Sequence, residues 1–178
     1  MKTIIKTKPQ LPVIHGDLFD HVGKFIHNKN DGFSIIVPHV CNNIDLFGAG
    51  FAEAVSKHYP IVKTNYHLLG KKQVLGYAQF VTVDTNKEYG HKLIFANMIA
   101  QNGIIAHNNP RPLHYGALVR SMILVNQFIQ QNFDATNPVQ IHAPKFGCGL
   151  AGGNWNFIED LIRDIWSKQP IFIYDIRK

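Results

Sequence analysis

The sequence predicts a three-layer α/β/α domain with a mixed central sheet of about six strands. Short apolar runs at residues 34–37, 139–142 and 171–176 suit buried strands, while residues 51–59, 114–133 and 155–168 carry apolar side chains at helical spacing. A strand, glycine loop and helix follow one another twice, across residues 34–59 and 139–168. No repeat, linker or low-complexity stretch divides the 178 residues, so one domain is expected over residues 1–178.

In chain order, residues 3–7 and 11–15 read as short strands separated by Lys8-Pro9-Gln10, where proline argues for a break. Residues 21–30 fit a short helix and residues 28–32 a polar turn. Strand pairing after residue 34 is expected to end at Pro38, which has no ladder donor. Residues 51–59 and 61–69 form two helices split by Pro60, which suits a first helical turn. Residues 77–83 and 92–99 read as strands joined by a turn at 84–90. Residues 101–113, with Gly103, Pro110 and Pro112, form the longest irregular stretch and a candidate lid or partner contact. The helix at 114–133 has Leu118, Met122, Val125 and Ile129 on one face. Asn154 is a plausible N-cap for the helix at 155–168, and residues 171–176 close the sheet.

The chain is 46% hydrophobic and 17% charged, which suits a sizeable core. No apolar run approaches a membrane span and residues 1–6 lack a signal-peptide core, so no membrane association and a cytoplasmic location are expected. The net charge of +6 favours anionic ligands, yet the basic residues are scattered, so no dedicated nucleic-acid patch is indicated. A monomer is expected. Cys41 and Cys148 make no disulfide framework and no zinc spacing, and they read as small residues fitting tight turns rather than as nucleophiles. With no carboxylate cluster either, neither a metal nor a cofactor is expected.

The chemistry points to the two glycine loops. Gly48 and Gly50 let backbone N–H groups approach a ligand ahead of a helix whose first turn carries partial positive charge. Gly147, Gly149, Gly152 and Gly153 repeat the pattern downstream. If both strands run parallel, the loops meet at the carboxyl ends of the strands, and a diphosphate is the natural guest. Asp17, just past a strand end, either accepts from the amino group of a base or caps the next helix. Asn97 and Gln101 contact a ribose or satisfy loop backbone, with the second reading preferred. Asp45 reads as a solvated loop residue.

Gly16-Asp17-Leu18, residues 39–51, residues 97–101, residues 147–153 and the strand holding Tyr174 together resemble the macro domain family over nearly the whole chain. The similarity is to the subclass with a terminal ADP-ribose hydrolase, a chromatin-remodeller macro module and a yeast ADP-ribose 1''-phosphate phosphatase. The resemblance implies the macro domain fold and an ADP-ribose site, with ADP-ribose or an ADP-ribosylated molecule as partner. Asp17 would hold the adenine amino group, Leu18 would contribute its backbone and Tyr174 would lie near the adenine. Gly48, Ala49, Gly50 and Phe51 would cradle one side of the diphosphate and terminal ribose, with Cys41 also at the ligand site. Gly147, Cys148, Gly149, Leu150 and Ala151 would form the other wall, with Gly152 also at the ligand site.

The hydrolase of this subclass uses a lysine and an aspartate. Here Ala151 stands at the aspartate's place and the lysine falls near Thr82, which disfavours a lysine-adduct mechanism. His39, Cys41 and Asn42 match instead a His-x-Cys-Asn run of the yeast phosphatase. The resemblance thus implies hydrolysis of an ADP-ribose derivative at its terminal ribose, foremost removal of a phosphate ester. His39 would serve as general acid or orienting group and Asn42 would hold the ribose. A histidine buried and hydrogen-bonded to backbone is the competing reading of His39. The alternatives are a non-catalytic ADP-ribose reader, and a hydrolase that removes ADP-ribose from proteins, nucleic acid or metabolite esters.

Overall fold

The computed structural model describes residues 11–25, 27 and 32–176. The strand expected at residues 3–7 and most of the turn at 28–32 lie outside the described residues. β1 (Val13–His15) starts only after Pro12, and α1 (Phe19–Phe25) starts two residues earlier than its apolar spacing suggests. Asp17 sets that start: its Oδ1 accepts from Phe19 N at 3.0 Å and its carbonyl from Asp20 N at 3.2 Å. A side-chain oxygen here satisfies a donor that the first turn leaves without a partner.

β2 (Ser34–Asn42) leads into α2 (Gly50–His58) and α3 (Pro60–Leu68), and Pro60 occupies the first turn as expected. β3 (Ala78–Thr85) and β4 (Lys92–Gln101) form the antiparallel pair, followed by α4 (Tyr115–Asn132). His114 caps α4 by accepting from Ala117 N through its side chain. β5 (Val139–Pro144), α5 (Trp155–Ile165) and β6 (Ile171–Asp175) complete the described chain, with Asn154 as the side-chain cap of α5.

The six strands form one mixed sheet in the order β1-β6-β5-β2-β4-β3, parallel throughout except for β3. The expectation that pairing ends at Pro38 needs correction. Pairing with β5 stops at Ile36, but pairing with β4 runs on through Pro38, opposite Ala96, to Asn42. A residue without an N–H is tolerated because one side of β2 has no ladder beyond Ile36.

Period-two alternation sorts each strand between two helical layers. Ile36, Ile94, Ala96, Met98, Ala100 and Ile141 pack with Leu118, Met122, Ile158 and Trp166 of the α4–α5 side. Ile35, Val37, Leu93, Phe95 and Ile99 pack with Val22, Val55, Val62 and Tyr66 of the α1–α3 side. Trp166, fully buried, donates from Nε1 to Met122 O at 3.0 Å and ties the end of α5 to α4. The same alternation puts His39 and Asn97, register partners on β2 and β4, on the α1–α3 face. No described helix is long and apolar enough to cross a membrane.

Candidate functional site

β2 and β5 are neighbours and point the same way, so the loops that follow them emerge at one edge of the sheet. Between them lies a cavity of about 640 Å³, within the ~300–1,000 Å³ range of small-molecule sites. Its wall includes His39, Cys41, Asn42 and residues 45–52 from the first loop, and Pro144–Gly147 with Gly149, Leu150 and Ala151 from the second. Lys63 and His67 of α3, with Gln101, Ile104 and Ile105, complete it.

The first loop is folded around one side chain. Asn42 Oδ1 accepts from Ile44 N at 3.0 Å, from Leu46 N at 3.1 Å and from the Tyr66 hydroxyl at 3.0 Å. Its Nδ2 donates to Leu46 O at 2.6 Å. This wrapping drives Asp45 to φ 60°, a left-handed conformation that short polar residues tolerate best. The chain then reaches α2, where Ala49 at the N-cap gives no side-chain hydrogen bond. The first-turn N–H groups beside the cavity therefore have no side chain answering them, and they attract anions.

Two glycines mark the free space. A Cβ on Gly48 or on Gly149 would meet nothing within 4 Å, and neither has a left-handed φ. Packing does not require glycine there, and the open space leaves the backbone approachable. Gly152 and Gly153 differ. A Cβ on Gly152 would stand 2.9 Å from Pro110 O, and one on Gly153 would stand 2.5 Å from Gly147 O. These two dock the 101–113 stretch, further held by Leu113 N donating to Ala151 O at 3.1 Å and Gly103 N to Asn43 Oδ1 at 2.8 Å. That stretch forms a cavity wall through Ile104 and Ile105, tied to both glycine loops.

His39 is 1% exposed, with Nε2 2.6 Å from Asn97 Oδ1 and Nδ1 3.8 Å from Cys41 Sγ. Phe47, Phe51 and Phe95 meet its ring edge-on. Burial lowers its pKa to about 4 despite the Asn97 bond. A neutral imidazole whose N–H is given to Asn97 has no proton for a leaving group, so of its two sequence-based roles the orienting one fits and the general acid does not. The competing reading misidentified the partner, which is a side chain rather than backbone. Asn97 is buried and spent, since its Nδ2 donates to Gln79 Oε1 at 2.9 Å. Burial also raises the Cys41 thiol, in line with a packing residue.

Other expected site residues stand apart from the cavity wall. Asp17, Leu18, Cys148, Gly152 and Tyr174 do not line it. Asp17 is exposed at the start of α1, and the Leu18 side chain is in the core. The Tyr174 hydroxyl is 2.9 Å from His142 Nδ1, and Cys148 Sγ donates to Lys145 O at 3.3 Å. Thr82 lies on β3, the sheet edge beyond β4, and not at the cavity. Asp45 is no free loop carboxylate: its Oδ1 is 2.7 Å from His67 Nδ1 and accepts from Gln73 Nε2 at 2.6 Å. Those bonds hold its carboxyl below the usual range. Sequence reasoning missed Lys63, His67 and Lys145. For the first two the available signal was their i, i+4 spacing on one helix face. Lys145 Nζ pairs with Asp175 Oδ2 at 2.6 Å. Among the described residues no group of three or more His, Cys, Asp or Glu could hold a metal ion.

Two buried histidines give the fold a pH dependence. Burial also lowers His142 to about 4, with help from the charge of His21. Both folded values lie below the unfolded value of about 6.5, so the unfolded chain binds more protons between pH ~6.5 and ~4. Stability is expected to fall through that window and to stop falling on this account below it, by about 3 kcal/mol per histidine at most. Urea unfolding at several pH values checks this, and His142→Gln should flatten the slope.

No protein-family model matches the sequence. The chain is 27% identical over 168 residues to an uncharacterized 17.5 kDa protein of the tk-vs intergenic region of Enterobacteria phage T4, covering 91% of this chain and 94% of that protein. A macrodomain protein from Streptomyces coelicolor superposes with TM-score 0.68 at 26% identity, over 93% of this chain and 99% of that one. DarTG of Thermosipho africanus, solved in complex with ADP-ribose, superposes with TM-score 0.69 at 16% identity, over 94% of this chain and 42% of that one. A six-stranded mixed sheet with two glycine loops at one edge, matched along its length to such structures, gives the chain the macrodomain fold.

Proposed function

We propose that the cavity binds ADP-ribose and that the protein hydrolyses an ADP-ribose derivative at its terminal ribose, foremost ADP-ribose 1''-phosphate. One observation carries the binding half. The open space at Gly48 and Gly149 and the uncapped start of α2 border a single cavity, which supplies backbone N–H donors to a diphosphate from both sides. The ADP-ribose complex of DarTG, a protein of similar fold, supports the choice of nucleotide. The adenine would lie towards β1 and β6, where Asp17 Oδ1 is engaged by Phe19 N and the second carboxylate oxygen can accept from the amino group.

Catalysis uses the same cavity. Loop amides stabilise charge on the departing phosphate, and Lys63, on the cavity wall, adds a cation. His39 and Asn42 hold the loop rather than touch the reacting bond. Their commitment to internal hydrogen bonds favours a second reading, a reader that binds ADP-ribose and does no chemistry.

Incubation of the pure protein with ADP-ribose 1''-phosphate, followed by assay of free phosphate, separates the two. Steady release of phosphate is expected. Tight binding without release of phosphate, with ADP-ribosylated protein also left intact, would make the protein a reader.

A further inference from the structure

The cavity contains one imidazole that the fold leaves open. Among the described residues six titratable side chains line it: His39, Cys41, Asp45, Lys63, His67 and Lys145. His39 has given its N–H to Asn97, Cys41 is buried and Lys145 is paired with Asp175. His67 differs. Its Nδ1 lies 2.7 Å from Asp45 Oδ1, and Nε2 makes no hydrogen bond among the described residues. A carboxylate on Nδ1 fixes the tautomer with the proton there and the lone pair on Nε2.

Asp45 is itself held in place. Gln73, only 9% exposed, donates from Nε2 to Asp45 Oδ1 at 2.6 Å and to Tyr66 O at 3.1 Å. The Tyr66 hydroxyl in turn meets Asn42 O at 2.8 Å and its Oδ1 at 3.0 Å. A buried network thus positions an aspartate at the cavity, in a left-handed backbone conformation. A solvated loop residue needs neither. Lys63, one turn before His67 on α3, lines the same wall.

We propose that His67 is the general base of the hydrolytic reaction and that Asp45 is its positioning residue. This rests on the hydrolase reading above. His67 Nε2 takes a proton from a water whose oxygen bonds to the anomeric carbon of the terminal ribose. The bond from that carbon to the leaving oxygen breaks, and its electron pair departs with the phosphate or carboxylate. Lys63 and the loop amides face the charge so formed. The products are ADP-ribose and the released acid, and the proton on His67 passes to the leaving group or to solvent. No oxidant, reductant or metal enters the balance.

The test measures turnover of ADP-ribose 1''-phosphate and affinity for ADP-ribose in wild type, His67→Ala and Asp45→Asn. Both positions are exposed, with side chains 37% and 52% accessible for His67 and Asp45, so the fold should tolerate the changes. His67→Ala is expected to lower kcat about a hundredfold or more with KM and ADP-ribose affinity nearly unchanged, as loss of a general base does. Free imidazole should restore part of that rate, which a merely structural residue would not allow. Asp45→Asn should lower kcat less and leave affinity alone. Turnover within threefold of wild type in His67→Ala overturns the proposal, as does a loss matched by lost affinity and not rescued by imidazole. Wild type that binds ADP-ribose but releases neither phosphate nor ADP-ribose from esters overturns the base and leaves the binding reading standing. Absence of binding overturns both.

Discussion

Gly48→Val is expected to lower ADP-ribose affinity at least a hundredfold, about 2.7 kcal/mol, without weakening the fold. The backbone at Gly48 is not left-handed and a Cβ there meets no atom within 4 Å, so nothing in the folded chain crowds the first atom of the side chain. That space is where the diphosphate would lie against the loop amides. Calorimetric titration and a urea unfolding curve read the two effects separately. Unfolding free energy should stay within about 0.5 kcal/mol of wild type, as for a change away from packed contacts. Retained affinity would mean that the free space above Gly48 is solvent and not part of the site.

Gly153→Ala should do the opposite. Its Cβ would overlap Leu113 Cδ2 and stand 2.5 Å from Gly147 O, while Gly153 N donates to that same oxygen at 2.8 Å. Leu113 can shift, but the Gly147 carbonyl is part of the second loop's own hydrogen bonding. Relief requires the loop and the 101–113 wall to part, at a cost of about 3 kcal/mol. Urea unfolding of Gly153→Ala beside Gly149→Ala makes the contrast, since the second change is expected to leave stability unaltered. Equal stability of the two variants would contradict the division of these glycines into docking and ligand-facing positions.

What could be seen in the sequence was local. Pro60 at a first turn, Asn154 as a cap and the glycines closing two strand-to-helix loops all act within a few residues of themselves. The layers followed from apolar spacing, because burial imposes the helical and strand periods directly. What could not be seen depended on register and on distant partners. The pairing of His39 with Asn97 arises because residues 58 apart become neighbours on β2 and β4. Pro38 stays in the sheet because β5 diverges after Ile36, which nothing near Pro38 announces.

The two loops that border the cavity were legible in the sequence, and the partners of their side chains were not. Asp45 looked solvated because His67 and Gln73, its partners, lie 22 and 28 residues away. Lys63 and His67 stand one turn apart on α3, and only the position of α3 beside the first loop turns that face towards a cavity. The resemblance sets the family's lysine near Thr82, but a strand aligned by sequence carries no sign of its place in the sheet. β3 proves to be the far edge.

Binding of ADP-ribose between the two glycine loops is the central claim, and backbone amide shifts test it most directly. Addition of ADP-ribose to nitrogen-15-labelled protein should shift the amides of Gly48, Gly50, Gly147 and Gly149 together and saturably, as donors to one diphosphate. No saturable shift at these four glycines, or shifts confined to one loop, would contradict it.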